Sequence, residues 1–170
     1  WYRFADLDGK TAKVTIAADL AVEKGVVMLI AAGNGGGQPL GDLGLPGRIN
    51  VPADGFGVLA VGAVDAEGRA ASFSAHGPTF DGRIKPDVAA MGVDVTAIKP
   101  GTRDEFSFHE SGTSVSSALV SGAVALLLQA FPQATPDDIS YALKSTASLS
   151  ANPDNRKPLA SVNLVNTLGW

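Results

Sequence analysis

The stretch HESGTSVSSALVSG, His109 to Gly122, decides how this chain is read. It sets Ser114 between a Gly-Thr turn and a run of small residues that opens a helix. Serine and threonine ahead of an apolar run are preferred N-caps. The same residues would also suit a nucleophile held on a tight turn. The segment alone leaves both readings open, and capping is the commoner use of such a serine. It is not the G-x-S-x-G elbow of the α/β-hydrolases, because Ser116 stands where the second glycine belongs. That fold also needs a histidine after its serine, and none follows Ser114.

From Ser111 to Pro136 no residue is charged. A run of ~18 uncharged, mainly apolar residues is the mark of a membrane-spanning helix. Ser111, Ser114, Ser116, Ser117, Ser121, Gln129, Gln133 and Pro132 oppose that reading. They point instead to a buried helix whose small residues let neighbouring backbones come close. Downstream, TPDDISYALKSTA (135–147) carries a clear helix start. Thr135 can N-cap, Pro136 fits the first helical position, and Asp137 and Asp138 suit the positive end of the dipole.

Upstream, KTAKVTIAADLAVEK (10–24) has the spacing of an amphipathic helix. Ile16, Ala17, Leu20 and Ala21 share one face, and Gly25 can end it. VVMLIAA (26–32) and VLAVGAV (58–64) are short continuous apolar runs, the pattern of parallel strands buried on both faces. VTAI (95–98) reads as a shorter third strand, with Gly- and Pro-rich loops at 33–57 and 77–92. Strands alternating with helices predict an α/β layered fold. No repeat or linker divides the 170 residues, so they read as one domain or part of one.

The chain is 45% hydrophobic, enough to bury a substantial core, and has a net charge of −4. It has no basic stripe of the kind that nucleic acid or an anionic membrane requires. Cysteine is absent, which excludes disulfides and thiolate metal sites. No cofactor signature is visible. AAGNGGG (31–37) follows a strand but fails the G-x-G-x-x-G test, since the sixth position is Gln38 or Leu40 and Pro39, Gly41, Gly44 and Pro46 follow. What stands out there is Asn34, a carboxamide at the carboxyl end of a strand, where ligands bind in open α/β sheets. DLDG (6–9) begins like a calcium loop but lacks its later acidic ligands, and reads as a solvated turn. His76 and His109 are the only histidines, and their separation makes no metal-ligand pattern.

Read together, AAGNGG, VGAVDAEGRAASFSAHGPTFDGRIKPDVAAMG and SGTSVSSALVSGAVALLLQAFPQATPDDI resemble, in order and spacing, the later part of the subtilisin-like serine peptidases, the subtilases. The resemblance runs from about residue 5 to residue 147. It implies a three-layer, parallel-sheet subtilisin-like fold, present only in part: residues 1–170 as the C-terminal portion of a catalytic domain. It implies Ser114 as nucleophile and Asn34 as the oxyanion-hole amide. Ala31, Ala32 and Gly33 become the wall of the pocket for the substrate side chain before the cut, with Gly112 and Thr113 also on the substrate.

Elementary chemistry fits that assignment. A serine at a helix N-terminus has a free backbone N–H and lies in a positive partial field, and a neutral amide supplies a second donor to an oxyanion. The resemblance further implies a polypeptide substrate and a secreted or extracytoplasmic setting, and leaves room for structural calcium in a full domain. The chain departs from the family pattern at Ala118 and Leu119, where a Pro and often a His are usual, and at Ala90-Met91-Gly92, where Ala-Pro-Gly is common. Its Asp and His triad motifs are absent, and are expected in an upstream part of the same precursor. Self-association through an exposed sheet edge is expected of the isolated chain. The alternative is a pseudoenzyme or peptide-binding module that keeps the fold and the groove.

Overall fold

The computed structural model describes residues 2–37, 47–106 and 108–148. The polar and weakly apolar tail lies outside them. After a short 3₁₀ turn at Phe4–Asp6 come helix α1 (Lys13–Glu23) and strands β1 (Leu29–Ala31), β2 (Leu59–Val64) and β3 (Val88–Met91). Strands β4 (Val95–Ala97) and β5 (Phe108–Glu110) lead into helices α2 (Thr113–Ala130) and α3 (Pro136–Thr146).

β1, β2 and β3 form one parallel sheet in that order, with Leu29 opposite Leu59 and Val61 opposite Val88. β2 is buried along its whole length, as its unbroken apolar run requires. Alternate residues face opposite sides. Leu59 and Val61 join Val88 and Ala90 in a core closed by Val120 and Val124 of α2 and Ile139 and Leu143 of α3. Ala60 packs on the other face with Ala32, Ile49 and Ala53. The expected α/β layered architecture is present, as part of a parallel sheet with helices against it.

α2 spans 18 residues, long and apolar enough to cross a membrane by length and composition alone. Its sequence reading as a helix packed within the protein holds for one face. Thr113, Ser116, Ser117, Val120, Ala123 and Val124 are buried at the i, i+3, i+4 spacing that places them on one side. Ser116 shows what the small residues permit. Its hydroxyl donates to the Ala90 carbonyl at 3.0 Å, and it abuts Gly92, where an added Cβ would collide with Ser116 Oγ. α3 starts as its sequence indicates. Thr135 and Asp138 form a reciprocal capping box, and Pro136 occupies the first turn.

Four expectations need correction. α1 does not bury the Ile16–Leu20 face: Ile16 is 41% and Leu20 51% exposed, while Thr15 and Ala18 are buried. Polar tethers set its rotation. The Thr15 hydroxyl donates to buried Asp54 at 2.6 Å, and Asp19 accepts the Phe56 and Gly57 N–H groups at 2.9 Å each. β1 is only half-buried, because it has a strand on one side alone among the described residues. The 95–98 run is not a third strand of the parallel sheet. β4 pairs antiparallel with β5 in a separate two-stranded ribbon, with Thr96 opposite His109. The true third strand is β3, inside the segment read as a loop, where Pro86 and Gly92 bracket a run too short to register.

Candidate active site

β1 and β3 are parallel, so their carboxyl ends meet the same edge of the fold. The start of α2 is docked there. Gly112, its N-cap, donates its N–H to the Gly92 carbonyl just past β3 at 2.8 Å. Asn34 lies just past β1. The open end of a parallel sheet and the positive end of a helix thus coincide.

The contacts fix the orientation of Asn34. Its Oδ1 accepts both the Thr113 N–H and the Thr113 hydroxyl, each at 2.9 Å. A backbone N–H can only donate, so the oxygen must face Thr113 and the NH₂ group must face away. The Thr113 hydroxyl in turn accepts the Gly33 N–H at 3.1 Å. Thr113 is 1% exposed, so its hydroxyl is shielded from water, while Asn34 at the other end of the relay is exposed.

On its outward side the amide meets the serine. A Cβ built on Gly112 would lie 3.1 Å from Ser114 Oγ and 3.3 Å from Asn34 Nδ2. Hydroxyl and amide therefore flank one small volume, kept open because residue 112 has no side chain. Ser114 is exposed. As the second residue of α2 its N–H has no intrahelical acceptor. A hydroxyl, an amide NH₂ and a free backbone N–H converge at a helix N-terminus. This is the equipment for attack on a carbonyl with two donors for the oxygen that becomes charged.

The remaining sequence candidates are placed as follows. Ala31 and Gly33 are half-buried beside Asn34. Ala32 is 0% exposed, and Gly112 and Thr113 are buried. Thr113 positions Asn34, a role the sequence reading missed. The signal was a hydroxyl residue at the first helical position, whose side chain had to point inward. His76 Nδ1 lies 2.8 Å from the Gly77 carbonyl, and His109 Nδ1 lies 3.2 Å from Asp94 Oδ1 on the β4–β5 ribbon. Neither ring bonds Ser114 among the described residues.

Asp8 accepts the N–H groups of Lys10 and Thr11, at 2.8 Å each, as a turn residue does. No three His, Asp or Glu side chains group to hold a cation among the described residues. Carboxylates with displaced pKa are structural. Burial pushes Asp81 up, but the Arg83 guanidinium and the Thr79 hydroxyl outweigh it and leave Asp81 below the usual range.

The fold and site bring an exposed serine, an amide and a helix start together at the carboxyl end of a parallel α/β sheet. The family model for the subtilase family (Peptidase_S8) matches residues 5–170. This chain belongs to the subtilase family. It is 35% identical over 145 residues to subtilisin E of Bacillus subtilis (strain 168), covering 85% of this chain and 34% of that protein. It is 38% identical over 120 residues to the subtilisin-like protease SBT6.1 of Arabidopsis thaliana, covering 67% of this chain and 11% of that one. The self-cleaved protease domain of PatA superposes with a TM-score of 0.67 at 29% identity, covering 94% of this chain and 56% of that domain. The chain thus spans about a third or less of the length of these two curated relatives.

Proposed function

We propose that the chain forms the nucleophile-bearing part of a serine endopeptidase, with the triad Asp and His supplied by an upstream segment outside these 170 residues. One observation carries this reading: both Thr113 bonds go to Asn34 Oδ1, which turns Asn34 Nδ2 toward the volume that Ser114 Oγ also borders. Ser114 Oγ attacks the carbonyl carbon of the scissile peptide and passes its proton to the imidazole. The carbonyl oxygen, now an anion, takes hydrogen bonds from Asn34 Nδ2 and the Ser114 N–H. The C–N bond breaks, the imidazolium protonates the departing amine, and water then releases the acyl group from Ser114 by the reverse sequence. The substrate is a polypeptide, and the setting is secreted or extracytoplasmic.

The test is a fluorophosphonate probe on the chain alone and on the chain joined to the upstream part of its precursor. Without a base the Ser114 hydroxyl keeps its proton, a loss on the order of 10⁶ in turnover. Labelling at Ser114 and peptide hydrolysis should appear only in the joined form, and vanish with Ser114→Ala. Rapid labelling of the chain alone would show that His76 or His109 serves as base. A folded joined form that neither labels nor cleaves would mean a pseudoenzyme, with Ala118 and Leu119 as the first residues to revert.

A further inference from the structure

Asn34 is followed by Gly35, the one Asn-Gly pair in the 170 residues. Asparagine is among the thermolabile residues. It decays when the backbone nitrogen of the next residue attacks the side-chain carbonyl carbon, and a glycine there leaves the attack unhindered. Three features of the fold keep that route open. Asn34 is exposed, so water and base reach it. The Gly35 N–H donates to nothing among the described residues, and nothing lies within 4 Å of where a Cβ on Gly35 would stand. The next N–H, that of Gly36, is by contrast held by the Phe73 carbonyl at 2.8 Å. Lastly, Asn34 Oδ1 accepts the Thr113 N–H and hydroxyl at 2.9 Å each. These bonds draw electrons from the carbonyl carbon and place two donors on the oxygen that becomes charged as a nitrogen adds.

We propose that Asn34 is a self-modification site, converting to aspartate or isoaspartate through a succinimide, and that this conversion switches the active site off. The Gly35 nitrogen gives its proton to solvent base and bonds to Asn34 Cγ. The Cγ–Nδ2 bond breaks, and Nδ2, which faces away from Thr113, leaves as ammonia. Water then opens the ring at one of its two carbonyls. The net change is amide plus water to carboxylate plus ammonium, with no other reactant. The consequence for turnover rests on the roles proposed for Ser114 and Asn34. An acid at 34 has no NH₂ group to give the oxyanion, and it sets a negative charge where negative charge develops. The bonds that aim the amide for catalysis thus also prepare its loss. Asn50, the other described asparagine, is exposed too, but it precedes Val51, whose branched side chain crowds the attacking nitrogen.

The experiment uses the protein containing this chain and its upstream part, with Ser114→Ala to prevent self-digestion, kept in mildly alkaline buffer. Peptide mapping by mass spectrometry follows each asparagine with time. Asn34 should convert first, well ahead of Asn50. Gly35→Ala, for which the fold has room, should slow Asn34 severalfold. Thr113→Val should slow it about fivefold, through the loss of one neutral bond to Oδ1. Melting curves will show that both variants stay folded. Asn34 that outlasts Asn50, a rate indifferent to Gly35→Ala, or conversion that quickens in Thr113→Val overturns the inference. With Ser114 restored, the converted form is separated on an anion exchanger by its added negative charge. Its turnover should be lower by roughly 10²–10³ or more, as should that of Asn34→Asp. A converted form as active as the original overturns the switch. If the unconverted form shows no hydrolysis either, the peptidase reading fails, while the mapping with Ser114→Ala still decides the modification.

Discussion

Thr113→Val tests the site's construction without touching either reacting group. Valine keeps the shape of threonine but removes the hydroxyl, which accepts from Gly33 N–H at 3.1 Å and donates to Asn34 Oδ1 at 2.9 Å. The position is 1% exposed, so water cannot take over. Leaving the Gly33 N–H unpaired costs about 1–3 kcal/mol of stability. Asn34 keeps its bond from the Thr113 N–H, so its orientation is weakened rather than lost. Losing one neutral bond of about 1 kcal/mol predicts roughly a fivefold fall in kcat. KM should barely move, because the amide meets charge that exists only in the transition state. Thr113→Ser should restore most of the rate. For scale, Asn34→Ala should cost roughly 10²–10³ in kcat, a range measured within this family. The assays are urea denaturation and steady-state hydrolysis of a peptide substrate by the joined form. If Thr113→Val raises KM and leaves kcat intact, Thr113 serves substrate binding and the positioning argument fails.

Asp87→Asn should destabilise the fold by about 3–5 kcal/mol in chemical denaturation, because it strands the buried Lys85 ammonium, whose Nζ lies 2.6 Å from Asp87 Oδ2. Replacing both residues with apolar ones of similar size should recover only part of that loss, because the Ala60 N–H and the Val58 carbonyl, which the pair also bonds, lose their partners; a double variant less stable than the single one would refute the pairing argument. Thr135→Ala should cost about 1 kcal/mol through the lost cap of α3. The Thr135 side-chain and backbone hydrogen bonds hold the Asp138 carboxyl below its ordinary 3.8, so its stabilising share is full above that pH and is lost as pH falls through the lowered folded value. Asp138→Asn should remove this acid-dependent share, visible as a flatter circular-dichroism titration of helix content. Gly122→Ala should stabilise α2 by roughly 1 kcal/mol, since nothing lies within 4 Å of the added Cβ, while Gly92→Ala should destabilise by about 1–3 kcal/mol through overpacking; thermal melts that rank the two the other way would refute the contact geometry. The outer edge of β1 and the exposed Ile16 and Leu20 should make the isolated chain self-associate, and a strictly monomeric sedimentation profile without dye binding would contradict this.

The parts of the fold legible in the sequence are those fixed by local rules. β2 is apolar throughout because both its faces are covered, and α3 announces its start through Thr135, Pro136 and Asp138. What stayed hidden depends on partners far along the chain. α1 is rotated by Asp54 and by the Phe56 and Gly57 N–H groups, 37 to 39 residues away, and no helical periodicity contains them. β4 looks like β1 in composition, and only its pairing with β5 separates them. Ser114 and Asn34 could be singled out by residue type and family pattern.

The order Gly-Thr-Ser at 112–114 also has a geometric logic. Successive residues on a helix point about 100° apart. Once Thr113 points inward to hold Asn34, Ser114 is turned outward, and the structure buries the first and exposes the second. The residue before them is the N-cap, whose Cβ would project between Ser114 Oγ and Asn34 Nδ2. Only glycine leaves that volume empty, and a carbonyl oxygen must enter it if both donors are to reach the charge. Placing threonine on the serine's other side, at position 115, would turn it about 200° around the helix from the direction of Asn34 and free the carboxamide to rotate. A motif of three residues therefore divides into an open space, a brace and a nucleophile, and the helix start sets which is which.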